Sequence, residues 1–136
     1  MKSPKLIQLP KIFDQRGNLS FFENDIQIPF SIKRTYWISD VPGGETRGGH
    51  AFRHQNEFII ALSGSFTVKL HDGNCESTYF LNRSNYGLFV PQMFWREITD
   101  FSTNSLALIV SDRFFSEEDY VRDFLEYKNL KSIEYE

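Results

Sequence analysis

A chain of 136 residues with 40% hydrophobic side chains is long enough to bury a core within one domain. A formal charge of −3 leaves no electrostatic footprint for general nucleic-acid binding. The single cysteine, Cys75, excludes an intramolecular disulfide framework and suits a reducing compartment. The N-terminal stretch MKSPKLIQLPKIFD lacks the apolar run of a signal peptide, and no segment is apolar over the length of a membrane span. The expectation is a cytoplasmic protein with no membrane or nucleic-acid partner. A local cluster of arginines can still attract an anionic small ligand.

The first 112 residues read as short strands broken by turn chemistry. LIQLP and NLSFFEN flank DQRG; SIKRTYWISD ends before VPGGETRGG, a glycine-rich loop. EFIIAL and FTVKL form a hairpin about Ser63 and Gly64, closed by HDGN. STYFL, YGLFVP, FWREITDF and SLALIVSD complete about nine strands at the spacing of a sandwich or barrel. Aromatic residues make up 16% of the chain, which suits a pleated, packed surface. The period then changes. SEEDYVRDFLEYKNL places Tyr120, Val121, Phe124 and Leu125 at helical spacing, so a helix is predicted over about 117–130. Ser116 is its expected cap, with Asp119 three residues on. The expectation is one domain over 1–136, with a β-barrel over about 1–112 and this helix against its wall or a subunit contact.

The chemistry-bearing residues concentrate between Gly44 and Gly64. GETRGGHAFRHQNEFIIALSG resembles the first signature motif of the cupin superfamily, G-x5-H-x-H-x3,4-E-x6-G, at every spacing. Phe52 stands where the second histidine belongs. The second cupin motif ends in P-x-G-x2-H; here the matching PQMFWR has Met93 for the glycine and Arg96 for the histidine. In a cupin these positions aim metal ligands into a barrel, because residues two apart on a strand share a face. A benzene ring and a guanidinium offer no lone pair, and a fixed positive charge repels a cation. His50 and Glu57 alone remain, so no metal is expected.

Further stretches narrow the resemblance. FDQRGNLSFFE resembles a motif of metal-free nucleotide-sugar cupins, including 3,5-epimerases. IPFSIKRTY, RGGHA, WREITDFS and DYVRDF are similar to the WxcM-like dTDP-sugar 3,4-ketoisomerases, in the right order over nearly the whole chain. The resemblance implies an all-β, cupin-type double-stranded β-helix (a jelly-roll barrel) with a C-terminal α-helix. It implies an isomerase that needs neither metal nor cofactor. Such enzymes convert dTDP-4-keto-6-deoxy-D-glucose to a 3-keto isomer, later aminated to a 3-amino-3,6-dideoxy sugar for lipopolysaccharide or S-layer glycans. It also implies a homodimer with exchanged N-terminal strands.

The reaction needs positioned acid/base groups and donors for an oxyanion. His50 is the expected base, since an ordinary imidazole titrates near working pH. Tyr36 is expected to donate or relay a proton, and Arg34 shares its strand face. Arg16 and Arg47 are expected on the diphosphate, because guanidinium forks suit phosphate oxygens. Arg96 is expected to face inward, toward an anion. A ring from Trp37, Tyr36 or Phe52 is left to stack on thymine or sugar.

Family members usually carry a second, catalytic histidine where Phe52 stands. Three readings follow: His50 and Tyr36 suffice, His54 reaches the pocket, or the protein binds a sugar nucleotide without isomerising it. RHQN reads as a turn, which favours a surface place for His54, and His71 in LHDGN reads as a turn residue. A 3,5-epimerase would want a His–Asp pair, and no aspartate has an evident claim on His50.

Overall fold

The computed structural model describes residues 2–134. One sheet has the strand order β1 (Lys5–Gln8), β9 (Tyr86–Val90), β6 (Glu57–Ser63), β11 (Leu106–Ser111), β4 (Arg34–Ser39). The other has the order β12 (Tyr120–Val121), β5 (Arg47–Phe52), β10 (Trp95–Thr99), β7 (Phe66–His71), β8 (Glu76–Leu81). A separate two-stranded ribbon joins β2 (Lys11–Ile12) and β3 (Leu19–Ser20). Every pairing among the described residues is antiparallel. Two such sheets packed face to face make the jelly-roll architecture expected from the sequence.

Strand alternation explains what fills the space between the sheets. Ile59, Ala61, Leu88, Ala107 and Ile109 point inward from the first sheet and meet Phe66, Val68, Leu70 and Ile98 from the second. The alternate residues of the first sheet, Phe58, Ile60, Phe89 and Val110, lie under Leu9, Ile28 and Phe30. Both faces of β6 are therefore buried, which is why EFIIAL reads as a continuous apolar run and not as an alternation. The inward rows turn polar at one end. Arg34 and Tyr36 share the face of Ile38, Glu57 that of Ile59, and Arg96 that of Ile98. The apolar floor thus fixes the strands whose far ends present the charged groups.

The tail departs from the sequence expectation. The helix, α1, covers Phe124–Glu134, not 117–130. Glu117–Asp119 form a single 3-10 turn, and Tyr120–Val121 are strand β12 on the edge of β5. Ser116 makes no side-chain capping bond. The Asp119 carboxylate instead accepts the backbone N–H groups of His54 at 2.8 Å and Gln55 at 3.1 Å. Those two bonds, with the strand pairing, hold Tyr120–Val121 extended where local periodicity alone favoured a helix. Tyr127 anchors α1, its hydroxyl donating to the carbonyls of His71 at 2.7 Å and Met93 at 2.9 Å. No described helix is long and apolar enough to cross a membrane.

Two turns bear on the site. Arg47–Gly49, read from sequence as loop, is the start of β5. Gly48 has φ +95°, and a Cβ there would come within 3.0 Å of both Nη1 and the carbonyl oxygen of Arg96. Only glycine allows this approach at the bulge between β5 and β10. Met93 has φ 62°, the left-handed turn that the family motif assigns to glycine.

Candidate active site

The polar end of the inward rows holds a buried cluster. Arg96 Nε donates to Glu57 Oε1 at 2.6 Å, and its Nη2 donates to Tyr36 Oη at 2.8 Å and to Glu57 Oε2 at 3.3 Å. The Tyr36 hydroxyl donates to Glu57 Oε2, which also accepts from Gln55 Nε2 at 3.1 Å. Arg34 Nη2 donates to Gln55 Oε1 at 3.4 Å, and its guanidinium lies 4.7 Å from the Tyr36 ring centre and 5.3 Å from that of Phe115. Burial raises the Tyr36 pKa, and the Glu57 carboxylate raises it further. For Arg96 burial works against the charge, but Glu57 and Tyr36 outweigh it and hold the guanidinium protonated.

This arrangement answers the metal question on donor chemistry. The carboxylate that would bind a cation is already paired with Arg96, and Phe52 has no lone pair. The residues do not fit a resident metal. Among the described residues no three His, Cys, Asp or Glu side chains are grouped to hold one.

His50 sits beside this cluster, paired with Arg96 across β5 and β10. Its ring meets Phe52 edge-on at 4.7 Å and Tyr120 at 5.0 Å. Nδ1 is buried and has no hydrogen-bond partner among the described residues, so no carboxylate orients the ring. Burial, and after it the positive charges of Arg96, Arg122 and Arg34, together lower its pKa to about 2. The imidazole is therefore a neutral base at working pH. A second orphan, Arg96 Nη1, is also buried without a partner.

A cleft of about 470 Å³ opens over these groups, with Tyr36, Arg47, His50, Arg96, Tyr120 and Arg122 among its walls. Of the residues singled out from sequence, Arg47 and the exposed Trp37 stand on its rim. Arg34 lies behind Tyr36 rather than in the cleft. Phe52 is buried beneath His50 and Tyr120, so it is packing and offers no face to a base or sugar. Arg96 does face inward, but its anion is Glu57 of this chain.

Arg16 is not brought to the cleft within this chain. It is 91% exposed at the tip of the β2–β3 ribbon, 3.0 Å from Asp14. Nor is His54, which lines a separate cleft of about 720 Å³ with Arg53 and Arg113. His71 ends β7, and its Nδ1 accepts from Gly73 N in the turn.

Four neighbours went unread. Tyr120 and Arg122 were hidden by their helical spacing, although Val121 between them is buried, a period of two. Gln55 and Phe115 carried no local signal. Arg122 stacks 4.1 Å from the Tyr120 ring centre and is itself held by Glu117 at 2.9 Å.

Two outcomes follow from this geometry. Glu57→Ala leaves Arg96 buried and unpaired, so urea unfolding should show a loss of about 3–5 kcal/mol. Replacing both partners, Glu57→Leu with Arg96→Met, should recover most of that loss. A single-variant loss under about 1 kcal/mol, the value of a surface pair, would show that the cluster does not hold the sheets together. His50 supplies a pH signature. Its folded pKa lies below its ordinary value of 6.5, so the unfolded chain binds more protons between the two. The His50 contribution is undiminished above pH 6.5 and falls by about 1.4 kcal/mol for each pH unit below it. His50→Gln should remove that part of the acid slope in thermal melts; identical slopes would contradict a buried neutral imidazole.

Comparison with known proteins bears on the whole chain. Residues 2–132 match the family described as FdtA, WxcM-like, C-terminal. A curated relative from Aneurinibacillus thermoaerophilus, TDP-4-oxo-6-deoxy-alpha-D-glucose-3,4-oxoisomerase, is 38% identical over 124 residues, 91% of this chain and 89% of that protein. QdtA from Thermoanaerobacterium thermosaccharolyticum, a sugar 3,4-ketoisomerase solved in complex with TDP, superimposes with a TM-score of 0.94. It is 32% identical, over 98% of this chain and 97% of that one. A 3,4-ketoisomerase from Helicobacter canadensis gives a TM-score of 0.93 at 34% identity, over 97% and 99% of the two chains. With the family matched along nearly its full length and the charged cleft in place, this chain belongs to the FdtA, WxcM-like C-terminal family.

Proposed function

We propose that this protein is a sugar-nucleotide 3,4-ketoisomerase, converting dTDP-4-keto-6-deoxy-D-glucose to a dTDP-3-keto-6-deoxyhexose. The observation that carries the reading is a buried imidazole whose Nδ1 has no partner among the described residues, on the strand next to a guanidinium whose Nη1 is likewise unpartnered, in a cleft walled by arginines. A ketone at C4 acidifies the C3 proton. His50 removes it, and the electron pair forms the C3=C4 bond while the carbonyl pair moves to O4. Arg96 Nη1 supplies a charged donor for that oxyanion, the kind of interaction that strengthens as charge develops. The hydroxyl proton on O3 passes to O4, the proton held by His50 goes to C4, and the carbonyl re-forms at C3. Tyr36 is a positioning residue in this scheme: its proton is engaged by Glu57, and its oxygen accepts from Arg96. Arg47 and Arg122 at the cleft wall suit the diphosphate.

The active unit in this proposal is a homodimer with exchanged N-terminal segments. Within one chain β1 pairs with its own β9, and the β2–β3 ribbon stands apart from both large sheets. The ribbon carries Ile12, Leu19 and Phe13, the last 80% exposed. An apolar ribbon with an arginine at its tip suits burial against a second copy, where Arg16 reaches that copy's cleft. Light scattering should give twice the chain mass, and Phe13→Asp should shift it toward monomer; a wild-type monomer would remove Arg16 from the site.

Incubation with dTDP-4-keto-6-deoxyglucose in D2O, followed by NMR, tests the activity. Deuterium at C3 or C4 with a 3-keto product is expected. Exchange at C5 would instead indicate a 3,5-epimerase, which the absence of a carboxylate partner for His50 among the described residues disfavours. Binding without exchange would leave a sugar-nucleotide binder, the reading that Phe52 in place of an imidazole keeps in view. His50→Asn should abolish turnover while dTDP affinity stays within about threefold; an active variant rejects His50 as the base.

A further inference from the structure

A 3,4-ketoisomerisation moves two protons, not one. The first travels from C3 to C4. The second must leave the C3 hydroxyl and arrive on O4, which ends as the C4 hydroxyl. His50 accounts for the first. Phe52 cannot serve the second, and the Tyr36 hydroxyl is tied to Glu57 and Arg96.

One phenol of the cleft is uncommitted. The Tyr120 hydroxyl makes no hydrogen bond among the described residues, yet its ring is fixed on three sides. It lies 4.6 Å from Phe52, 5.0 Å from His50 and 4.1 Å from the Arg122 guanidinium, measured from ring centres. Strand β12 puts Tyr120 directly opposite Phe52 on β5, and the side chains of such a pair project on the same face. Asp119, bonded to the His54 and Gln55 amides, fixes the preceding residue. Arg122 is clamped by Glu117 at 2.9 Å. Phe52 is thus the flat platform on which a tyrosine from another strand stands beside the catalytic imidazole. A non-aromatic side chain there would remove the ring contact that seats Tyr120.

We propose that Tyr120 carries the oxygen-bound proton, supplying the acid/base function that Phe52 lacks. The inference rests on the ketoisomerase reading. As His50 takes the C3 proton, the Tyr120 O–H donates to O4. The tyrosinate then accepts the proton of the C3 hydroxyl, giving an enediolate protonated on O4. The O3 pair re-forms a carbonyl at C3, and C4 takes the proton held by His50. Both groups end as they began, and no oxidant or reductant is consumed. Arg122, stacked on the ring, offsets the charge of the transient tyrosinate.

Tyr120→Phe in the full chain removes one oxygen and no hydrogen bond among the described residues, so the fold is retained. Turnover of dTDP-4-keto-6-deoxyglucose and deuterium uptake at C3 from D2O are measured together. The expected result is a fall in kcat of about 10²- to 10⁴-fold, with KM nearly unchanged and C3 exchange retained, because His50 still works. That split separates a proton relay from a packing role. A loss of less than about tenfold, or turnover and exchange falling in step, overturns the inference while leaving the isomerase reading intact. Wild-type protein that neither isomerises nor exchanges overturns the isomerase reading itself.

Discussion

Everything at the polar end of the barrel depends on the buried pair of Glu57 and Arg96. Two ions taken out of water carry a desolvation cost that attraction offsets only when the remaining donors and acceptors are filled. Here the filling is nearly complete. Tyr36 and Gln55 satisfy the carboxylate, and Arg96 gives Nε and Nη2 to its partners. The pair also joins the two sheets, Glu57 on β6 and Arg96 on β10. Its geometry requires Gly48, whose missing side chain leaves room for Nη1. Within the pair, the unfilled Nη1 of Arg96 is then a consequence of how its other nitrogens are satisfied.

That pair gives physical content to the misfit between these residues and the metal site of the cupin motif. A guanidinium in place of a ligand imidazole supplies, in the same space, the positive charge that a cation would have supplied. Glu57 keeps its inward aim with a different partner. Phe52 fits the same logic. Once no cation needs a second nitrogen, the position can hold an apolar ring, and that ring packs between His50 and the edge strand β12. The substitutions are linked through shared neighbours, which is how contacting residues depart from independence.

How much of this could be read from the sequence varied with how local its cause is. The jelly roll was legible, because strand length, turn residues and motif spacing are local signals; HAFRHQNEF also carried His50 and Glu57 at the right places. Arg96 was legible as an inward residue, but the identity of its anion was not, since Glu57 lies 39 positions away. The tail misled. YVRDFLEY satisfies a helical period, and only the edge of β5 and the Asp119 bonds decide that Tyr120–Val121 is strand. Arg16 illustrates another limit. Its DQRG motif is plain, yet within one chain it forms a surface ion pair with Asp14, two residues away, of the kind that contributes little.

Enolate chemistry makes two demands that ordinarily oppose each other. An oxyanion needs nearby positive charge, and a base must be unprotonated to act. In the proposed reaction Arg96 and Arg122 serve both. Burial first, and then Arg96, Arg122 and Arg34, disfavour a further cation on His50 and keep the imidazole neutral, while Arg96 and Arg122 in the cleft wall favour negative charge on a bound reactant. The cost is a weak base. In the proposed step that cost is offset when the proton moves, because the new imidazolium then faces an enolate and not only guanidinium groups. A site of this kind holds its base in reserve until an anion arrives, and the dianionic sugar nucleotide of the proposed reaction would bring that anion with it.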